Sequence, residues 1–284
     1  MARRKKSGSK KKSAGKKAKL TAKTADRHIL YQRSVQAPDF DAEFLAKRYK
    51  KATGKPLRFL REDFCGTFLL SCEFVKMHRD NRALGVDLDE PTLEWGRQHN
   101  LAALTPKQQE RVTLMQANVL DVTEPKAEVI AAMNFSYCVF KTRDELRRYF
   151  EVALESLEPG GLLVLDLYGG SGSQEEQEEE TAYRDFTYVW DQDAFDPITY
   201  HVTCRIHFRF KDKTALENAF VYEWRLWTLP ELQELLTEAG FEDVHVLWET
   251  TDKDTGEGSG VYRRAKKGEA DEAWIAYVVG QAPE

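Results

Sequence analysis

The sequence predicts an α/β protein: a three-layer αβα sandwich around a mostly parallel sheet that has an antiparallel end. Three observations predict it. Short apolar runs alternate with helix-like stretches over residues 57–166, and such alternation gives parallel strands joined by helical crossovers. The run Leu162 to Leu165 before Asp166 is apolar throughout and follows a Pro159-Gly160-Gly161 turn, as expected of a central strand buried on both faces. Beyond Gly170 the pattern changes to period-two alternation of aromatic and β-branched residues, the mark of antiparallel strands. The last feature predicts an antiparallel β insertion after strand five.

The elements follow in order. Asp41 to Tyr49 has helical spacing. Leu57 to Leu60 is a short strand running into a tight Cys65-Gly66-Thr67 turn, and Leu69 to Met77 is a helix with apolar positions three and four apart. Ala83 to Val86 is a second strand ending at Asp87, and Pro91 sits where a first helical turn accepts it. Val112 to Met115 and Val129 to Met133 are strands three and four, and a helix spans Thr142 to Leu157. Ser171 to Glu180 is acidic and polar and reads as an exposed, mobile loop. Thr199 to Phe210 and Ala219 to Trp227 are paired strands. Tyr200, Val202, Cys204, Ile206 and Phe208 form the core face, and His201, Thr203, Arg205, His207 and Arg209 the other. Thr228 and Glu231 form a capping box for a helix that stops at Gly240, before strands Val244 to Trp248 and Trp274 to Val279.

Charge is distributed unevenly. The net charge is −5, yet residues 1–27 carry +11 and the remainder −16. The first 27 residues have few large apolar groups to offset the entropy of ordering, so the reading is a disordered basic tail at 1–27 and one folded domain at 28–284, with the insertion at about 171–227. Cys65, Cys72, Cys138 and Cys204 form no CxxC pair and no cluster with histidine, so neither a disulfide framework nor a metal site is expected. No apolar run approaches a membrane span, and no signal-like apolar segment follows Met1. The expectation is a cytoplasmic protein without a membrane partner; in a eukaryotic source the basic run would also serve as a nuclear signal.

Four features fall at the carboxyl ends of successive strands, where ligands bind in open α/β sheets. Glu62-Asp63-Phe64-Cys65-Gly66-Thr67 lies between strand one and its helix. Asp87 stands 21 residues beyond Gly66 at the tip of strand two, where a carboxylate can accept both hydroxyls of a ribose. Asn118 to Asp121 follows strand three, within reach of an adenine edge. Asn134-Phe135-Ser136-Tyr137 follows strand four, facing a substrate. Each is explicable alone as a turn or a cap; in this order they point to a nucleoside cofactor.

Here the sequence resembles the class I S-adenosylmethionine-dependent methyltransferases, over roughly Leu57 to Phe241. Glu62 to Phe68 is similar to that family's acidic, glycine-bearing loop, Gly85 to Leu93 to its ribose-binding segment, Leu157 to Leu163 to its turn into strand five, and Arg225 to Phe241 to its late helix. The resemblance implies a Rossmann-like fold, S-adenosyl-L-methionine as cofactor and S-adenosyl-L-homocysteine as product. It implies Glu62 and Gly66 beside the methionine moiety, Cys65 and Thr67 as further cofactor-binding residues, Asp87 on the ribose, Leu88 beside the adenine, Asn118 and Val119 against its ring or amino group, and Asn134, Phe135 and Tyr137 on the methyl-transfer face. Two family glycines are Phe64 and Phe68 here, which either narrow the methionine end or pack as core. Arg33, in the segment Tyr31 to Gln36, either pairs with the methionine carboxylate or is a surface arginine.

No catalytic residue is assigned; Tyr137 and Tyr168 are the candidates. The insertion suits a lid over a small-molecule acceptor, with Tyr168, Tyr188, Trp190 and Arg225 as candidate substrate contacts, and its aromatics and acids favour an amine. Alternatively, Phe186, Tyr188 and Trp190 are one core face of a strand. The rival function is an RNA or ribonucleoprotein methyltransferase, its basic tail contacting nucleic acid through residues 3–23. A third is a non-catalytic cofactor binder. The oligomeric state is left open.

Overall fold

The computed structural model describes residues 20–252, 254–255 and 258–284. Helices α1 (Arg27–Ser34) and α2 (Pro38–Thr53) precede strand β1 (Phe59–Asp63). Then come α3 (Leu69–Met77), β2 (Arg82–Asp87), α4 (Glu90–His99), the single turn α5 (Pro106–Gln109), β3 (Val112–Gln116) and β4 (Ala127–Ala132). Helix α6 (Arg143–Glu155) leads into β5 (Leu157–Gly169). Four strands follow, β6 (Gln177–Ala182), β7 (Phe186–Asp196), β8 (His201–Phe210) and β9 (Ala215–Arg225), then α7 (Leu229–Glu238), β10 (Glu242–Thr251), β11 (Gly258–Ala265) and β12 (Trp274–Gln281).

The main sheet has eight strands in the order β11-β10-β12-β5-β4-β1-β2-β3. Strands β1 to β5 run parallel, and β12, β10 and β11 add an antiparallel end. The fold class is thus as the sequence predicts: Rossmann-like α/β, with helices on both faces. The two faces are filled by separate cores, one around Ile130, Leu163, Leu165, Tyr149 and Leu235, the other around Leu45, Leu60, Phe74, Val129 and Val164. Register aligns the strand tips. Glu62 pairs with Gly85 and with Ala131, and Ala132 with Leu165, so Asp63, Asp87 and Asp166 all emerge along one edge.

Strands β6-β7-β8-β9 form a second, wholly antiparallel sheet that covers this edge. Val202, Cys204, Ile206 and Phe208 are buried on its inner side. Outside, Arg205 pairs with Asp193 and Arg209 with Glu178 and Glu180, while His207 lies beneath Asp191 and Glu217.

The structure corrects two sequence expectations. Ser171 to Glu180 is not a loop: it forms a short 3₁₀ turn and then the edge strand β6. Its glutamates are tolerated because charge on an edge strand discourages pairing with another chain. Residues 20–27 are not tail. Leu20, Ala22 and Ala25 pack against the lid core, and Asp26 caps α1 by accepting from the His28 and Ile29 N–H groups. Residues 1–19 of the basic tail lie outside the described residues. The four cysteines are unpaired and buried, and no helix among the described residues is long and apolar enough to cross a membrane.

Candidate functional site

The site begins with backbone shape. After β1 the chain turns through Phe64, Gly66 and Phe68, whose φ angles are 54°, 51° and 47°. Glycine takes this left-handed region freely, whereas other residues lose about 1–2 kcal/mol there. The two phenylalanines are held in it by packing of their rings, Phe68 buried and Phe64 half-buried. Phe68 is fully buried against α4, where a Cβ on Gly96 would stand 2.4 Å from its Cε1. Phe64 packs against Phe140 and Tyr149 at 6.0 and 5.6 Å. The Phe68 ring therefore does not fill the crevice, and the loop takes left-handed backbone at three positions with a glycine at one of them. Under it, the buried Arg61–Asp63 pair (2.6 Å) and the Tyr149 hydroxyl, which donates to Asp63, fix the strand end.

Asp87 binds this loop directly: the Gly66 N–H donates to its Oδ2 at 2.7 Å and the Asp89 N–H to its Oδ1 at 2.9 Å. Each carboxylate oxygen keeps a further lone pair for a hydroxyl donor. The Ala117 N–H donates to the Asp87 carbonyl, so the end of β3 lies alongside. Asn118 spends its side-chain oxygen capping the Leu120 N–H, and Val119 is buried, which leaves the Asn118 side-chain N–H groups and the backbone there to meet a ligand. Leu88 is 64% exposed, an apolar surface open to a base ring.

Glu62 sits at the floor of the crevice. It accepts from the Ser71 N–H (2.9 Å) and hydroxyl (2.6 Å), but no cation pairs with it among the described residues. Burial pushes its carboxyl up to about 7, against the lowering effect of Ser71. Gln36 also lines the crevice, with its Oε1 buried and unpartnered. A buried acid without a cation and a buried acceptor without a donor suit an ammonium group.

At the tip of β4, Asn134 and Phe135 both have positive φ, 57° and 58°. Asp166 holds this turn, accepting from the Asn134 and Phe135 N–H groups at 2.8 and 2.9 Å. Burial raises its carboxyl to about 6, and these backbone donors limit the rise.

Helix α1 straps the crevice. The Trp95 indole donates to Asp26, the Gln32 amide donates to Thr67 Oγ1 at 2.9 Å, and the Tyr31 ring packs on Phe220 of the lid at 4.9 Å. His28 and Tyr31 thereby face Glu62, Gly66 and Thr67 across the crevice. Beside it, under the lid sheet, is a chamber of about 680 Å³. The two spaces meet at Tyr31, Met133, Asn134 and Tyr222. Tyr168, Tyr188, Trp190, Trp224, Trp274 and Tyr277 give the chamber aromatic walls, and Asp41, Asp166, Glu179 and Glu249 supply its charge.

The predicted residues divide accordingly. Glu62, Cys65, Gly66, Thr67 and Asn134 line the crevice, with Asp87 bonded to its loop. Phe135, Tyr168, Tyr188 and Trp190 line the chamber. Leu88, Asn118 and Val119 line neither space, and three further candidates also lie outside both. Tyr137 is fully buried and its hydroxyl donates to the Asp166 carbonyl, so it supports the site from within the core. Arg33 pairs with Asp185 at 2.6 Å and lies over the Phe186 ring, fastening α1 to the lid away from the crevice. Arg225 pairs with Glu231 and stacks on Trp227 at 3.9 Å, outside the chamber. Sequence reasoning missed His28, Gln36, Asp41 and the far wall of Glu249, Tyr262 and Tyr277. For Asp41 a signal existed, since an acid opens a helix whose next apolar residues are core; nothing local marks the others.

No protein-family model and no curated protein matches the sequence. Solved structures do resemble the fold. A Clostridium acetobutylicum S-adenosylmethionine-dependent methyltransferase has a TM-score of 0.64 at 14% identity, over 90% of this chain and 97% of that one. An amino pentose methyltransferase from Micromonospora echinaspora, bound to its methyl donor, gives 0.62 at 15% identity, over 89% and 95%. A sugar N-methyltransferase from a Streptoalloteichus species gives 0.61 at 18%, over 100% and 99%. The chain has the fold of the class I S-adenosylmethionine-dependent methyltransferases.

Proposed function

We propose that the chain is an S-adenosylmethionine-dependent methyltransferase whose acceptor is a small-molecule amine. The observation that carries this reading is the junction of the two spaces: a nucleoside-type crevice at Gly66 and Asp87 opens onto an aromatic, acidic chamber at Asn134. The crevice residues fit the cofactor. Glu62 and Gln36 would take its ammonium group, the Gly66 loop its methionine chain, Asp87 its ribose, and Leu88 with the backbone at Asn118 and Val119 its adenine. The bound cofactor supplies a methyl group already activated on sulfur. The protein has to align an acceptor and exclude water, and alignment alone contributes about 7–11 kcal/mol. Helix α1 and the lid sheet provide the exclusion, and the aromatic walls provide faces for a cation. The amino pentose and sugar N-methyl acceptors named for two of the similar structures support an amine.

The test uses purified protein, methyl-labelled cofactor and fractionated cell extract, with S-adenosylhomocysteine binding measured separately by calorimetry. Label is expected in the basic small-molecule fraction. Absence of both labelling and product binding refutes the reading.

A further inference from the structure

Two carboxylates of the chamber, those of Asp41 and Glu179, are used by nothing in the fold among the described residues, and of these Glu179 is exposed on β6 while Asp41 is drawn away from solvent. Asp41 lies in the first turn of α2 and lines the chamber, and no hydrogen bond or ion pair reaches its side chain among the described residues. Its neighbours are engaged. Asp166 holds the Asn134–Phe135 turn, Glu62 is bound by Ser71, and Glu249 accepts from the Gly260 N–H and the Tyr262 hydroxyl. An acid in a first helical turn is ordinarily favoured as the carboxylate by the helix dipole. Here burial, and next the charge of Asp166, push it up to about 7.

The groups facing Asp41 are Glu62 from β1, Asp166 from β5, Glu249 from β10, Tyr262 from β11 and Tyr277 from β12. Arg48, on the same helix, stacks on Phe44 and donates to the Tyr262 carbonyl. Among the described residues, no lysine, arginine or histidine lines the chamber. A partly buried acid among acids and aromatic faces lacks a cation, and the ligand is what can bring one.

We propose that Asp41 receives the acceptor: its carboxylate pairs with the substrate's ammonium group and takes the proton that the nitrogen must lose. In that step an N–H bond breaks, an O–H bond forms on Asp41, and the nitrogen keeps the electron pair for the incoming methyl group. The proton returns to solvent when the product leaves. The proposal rests on the methyltransferase reading above and deepens it, naming the residue that selects a cation over a neutral nucleophile. A base that titrates near neutrality suits this transfer.

The test is calorimetry on the full chain saturated with S-adenosylhomocysteine. The probes are cyclohexylamine, 2-phenylethylamine and tryptamine, each against the alcohol of the same skeleton. At pH 8 at least one amine is expected to bind about tenfold or more tightly than its alcohol, the increment of one charge-assisted hydrogen bond. Its affinity should fall by roughly tenfold towards pH 6, where a proton occupies the carboxyl. Asp41→Asn should abolish both the preference and the pH dependence, Asp41→Glu should restore part of each, and both variants should bind S-adenosylhomocysteine within about twofold of wild type, showing an intact fold. No amine preference in wild type, or an unchanged preference in Asp41→Asn, overturns the assignment while sparing the methyltransferase reading. A wild-type protein that ignores S-adenosylhomocysteine overturns both.

Discussion

The crevice and the chamber share four residues but are built by different means. The crevice is a matter of backbone: three left-handed residues between Phe64 and Phe68, a Gly66 N–H on Asp87, and a turn at Asn134 clamped by Asp166. The chamber is a matter of side chains, drawn from α1, α2, β5 and the lid, and from the antiparallel end of the main sheet. Backbone shape can survive a change of residue, as Phe64 and Phe68 illustrate, whereas a side-chain wall changes with every substitution. On the proposed reading, the first part holds the cofactor and the second selects the acceptor.

The largest effect expected on this contrast is at Phe68. Phe68→Ala removes a buried ring and keeps the unfavourable φ, which should destabilise the protein by about 3–5 kcal/mol. Phe68→Gly loses the same ring but relieves the backbone, so it should be less damaging by about 1 kcal/mol. That inverts the usual order of alanine over glycine in ordered structure. Denaturant midpoints of the two variants check it; alanine proving the milder change would mean that the loop is not strained.

Next in size is a pH effect at Glu62. Its carboxyl stands near 7 in the folded protein against an ordinary 4.5. Between those values the folded state binds more protons than the unfolded one, so stability falls as pH rises, by up to about 3 kcal/mol at 1.36 kcal/mol per pH unit. Asp41 and Asp166 are raised as well and act in the same direction. Melting temperatures of the ligand-free protein should therefore decline from pH 5 to pH 8, and Glu62→Gln should flatten part of that decline. Identical slopes in the two proteins would remove Glu62 as the cause.

Asp87→Ala comes third. On the proposed reading, losing the charge-assisted bonds to ribose hydroxyls and the anchor on Gly66 should weaken S-adenosylhomocysteine binding by about 1.5–3 kcal/mol, roughly 10–100-fold. Trp190→Ala is the complementary change, altering acceptor methylation while leaving product affinity within about twofold. If each variant disturbed both ligands equally, the separation of the two spaces would fail.

How much of this was legible in the sequence follows the same division. Strands β1 to β4, the loop at Gly66 and the role of Asp87 as a strand-tip acid are encoded within a few consecutive residues each, so periodicity and turn residues reveal them. The chamber was not legible, because its acids and rings converge from positions as distant as Asp41 and Tyr277. Helix α1 was missed because only Leu30 of its eight residues is buried, leaving no apolar stripe. Strand β6 was missed because a glutamate run reads as solvated loop, although on an edge strand those charges have a structural use. The sequence leaves Arg33 open between two roles for a related reason: it shows the charge but not Asp185, which the lid brings within 2.6 Å of it at the surface.

The smallest effect expected is in the basic tail, and it separates the amine reading from the RNA one. Residues 1–19 carry ten lysines and arginines and no acid, enough to bind phosphates in a salt-dependent, sequence-independent way. The chamber, by contrast, lies under the lid sheet and carries negative charge, which disfavours a polyanion. Deleting residues 1–19 should therefore leave S-adenosylhomocysteine affinity within about twofold and the melting temperature within about 2 °C, since neither the Leu20–Ala25 packing nor α1 is touched. Extending the deletion through Gln36 removes the strap, with Gln32 and Tyr31, and should abolish product binding. RNA retention on a filter should depend on the tail and fade between 50 and 200 mM salt (about 10³-fold or more for six phosphate contacts), while neither form should place labelled methyl on RNA. Tail-dependent methyl label on RNA would reverse the order of the two readings, because the chamber would then have to admit a strand that its charge and its roof both oppose.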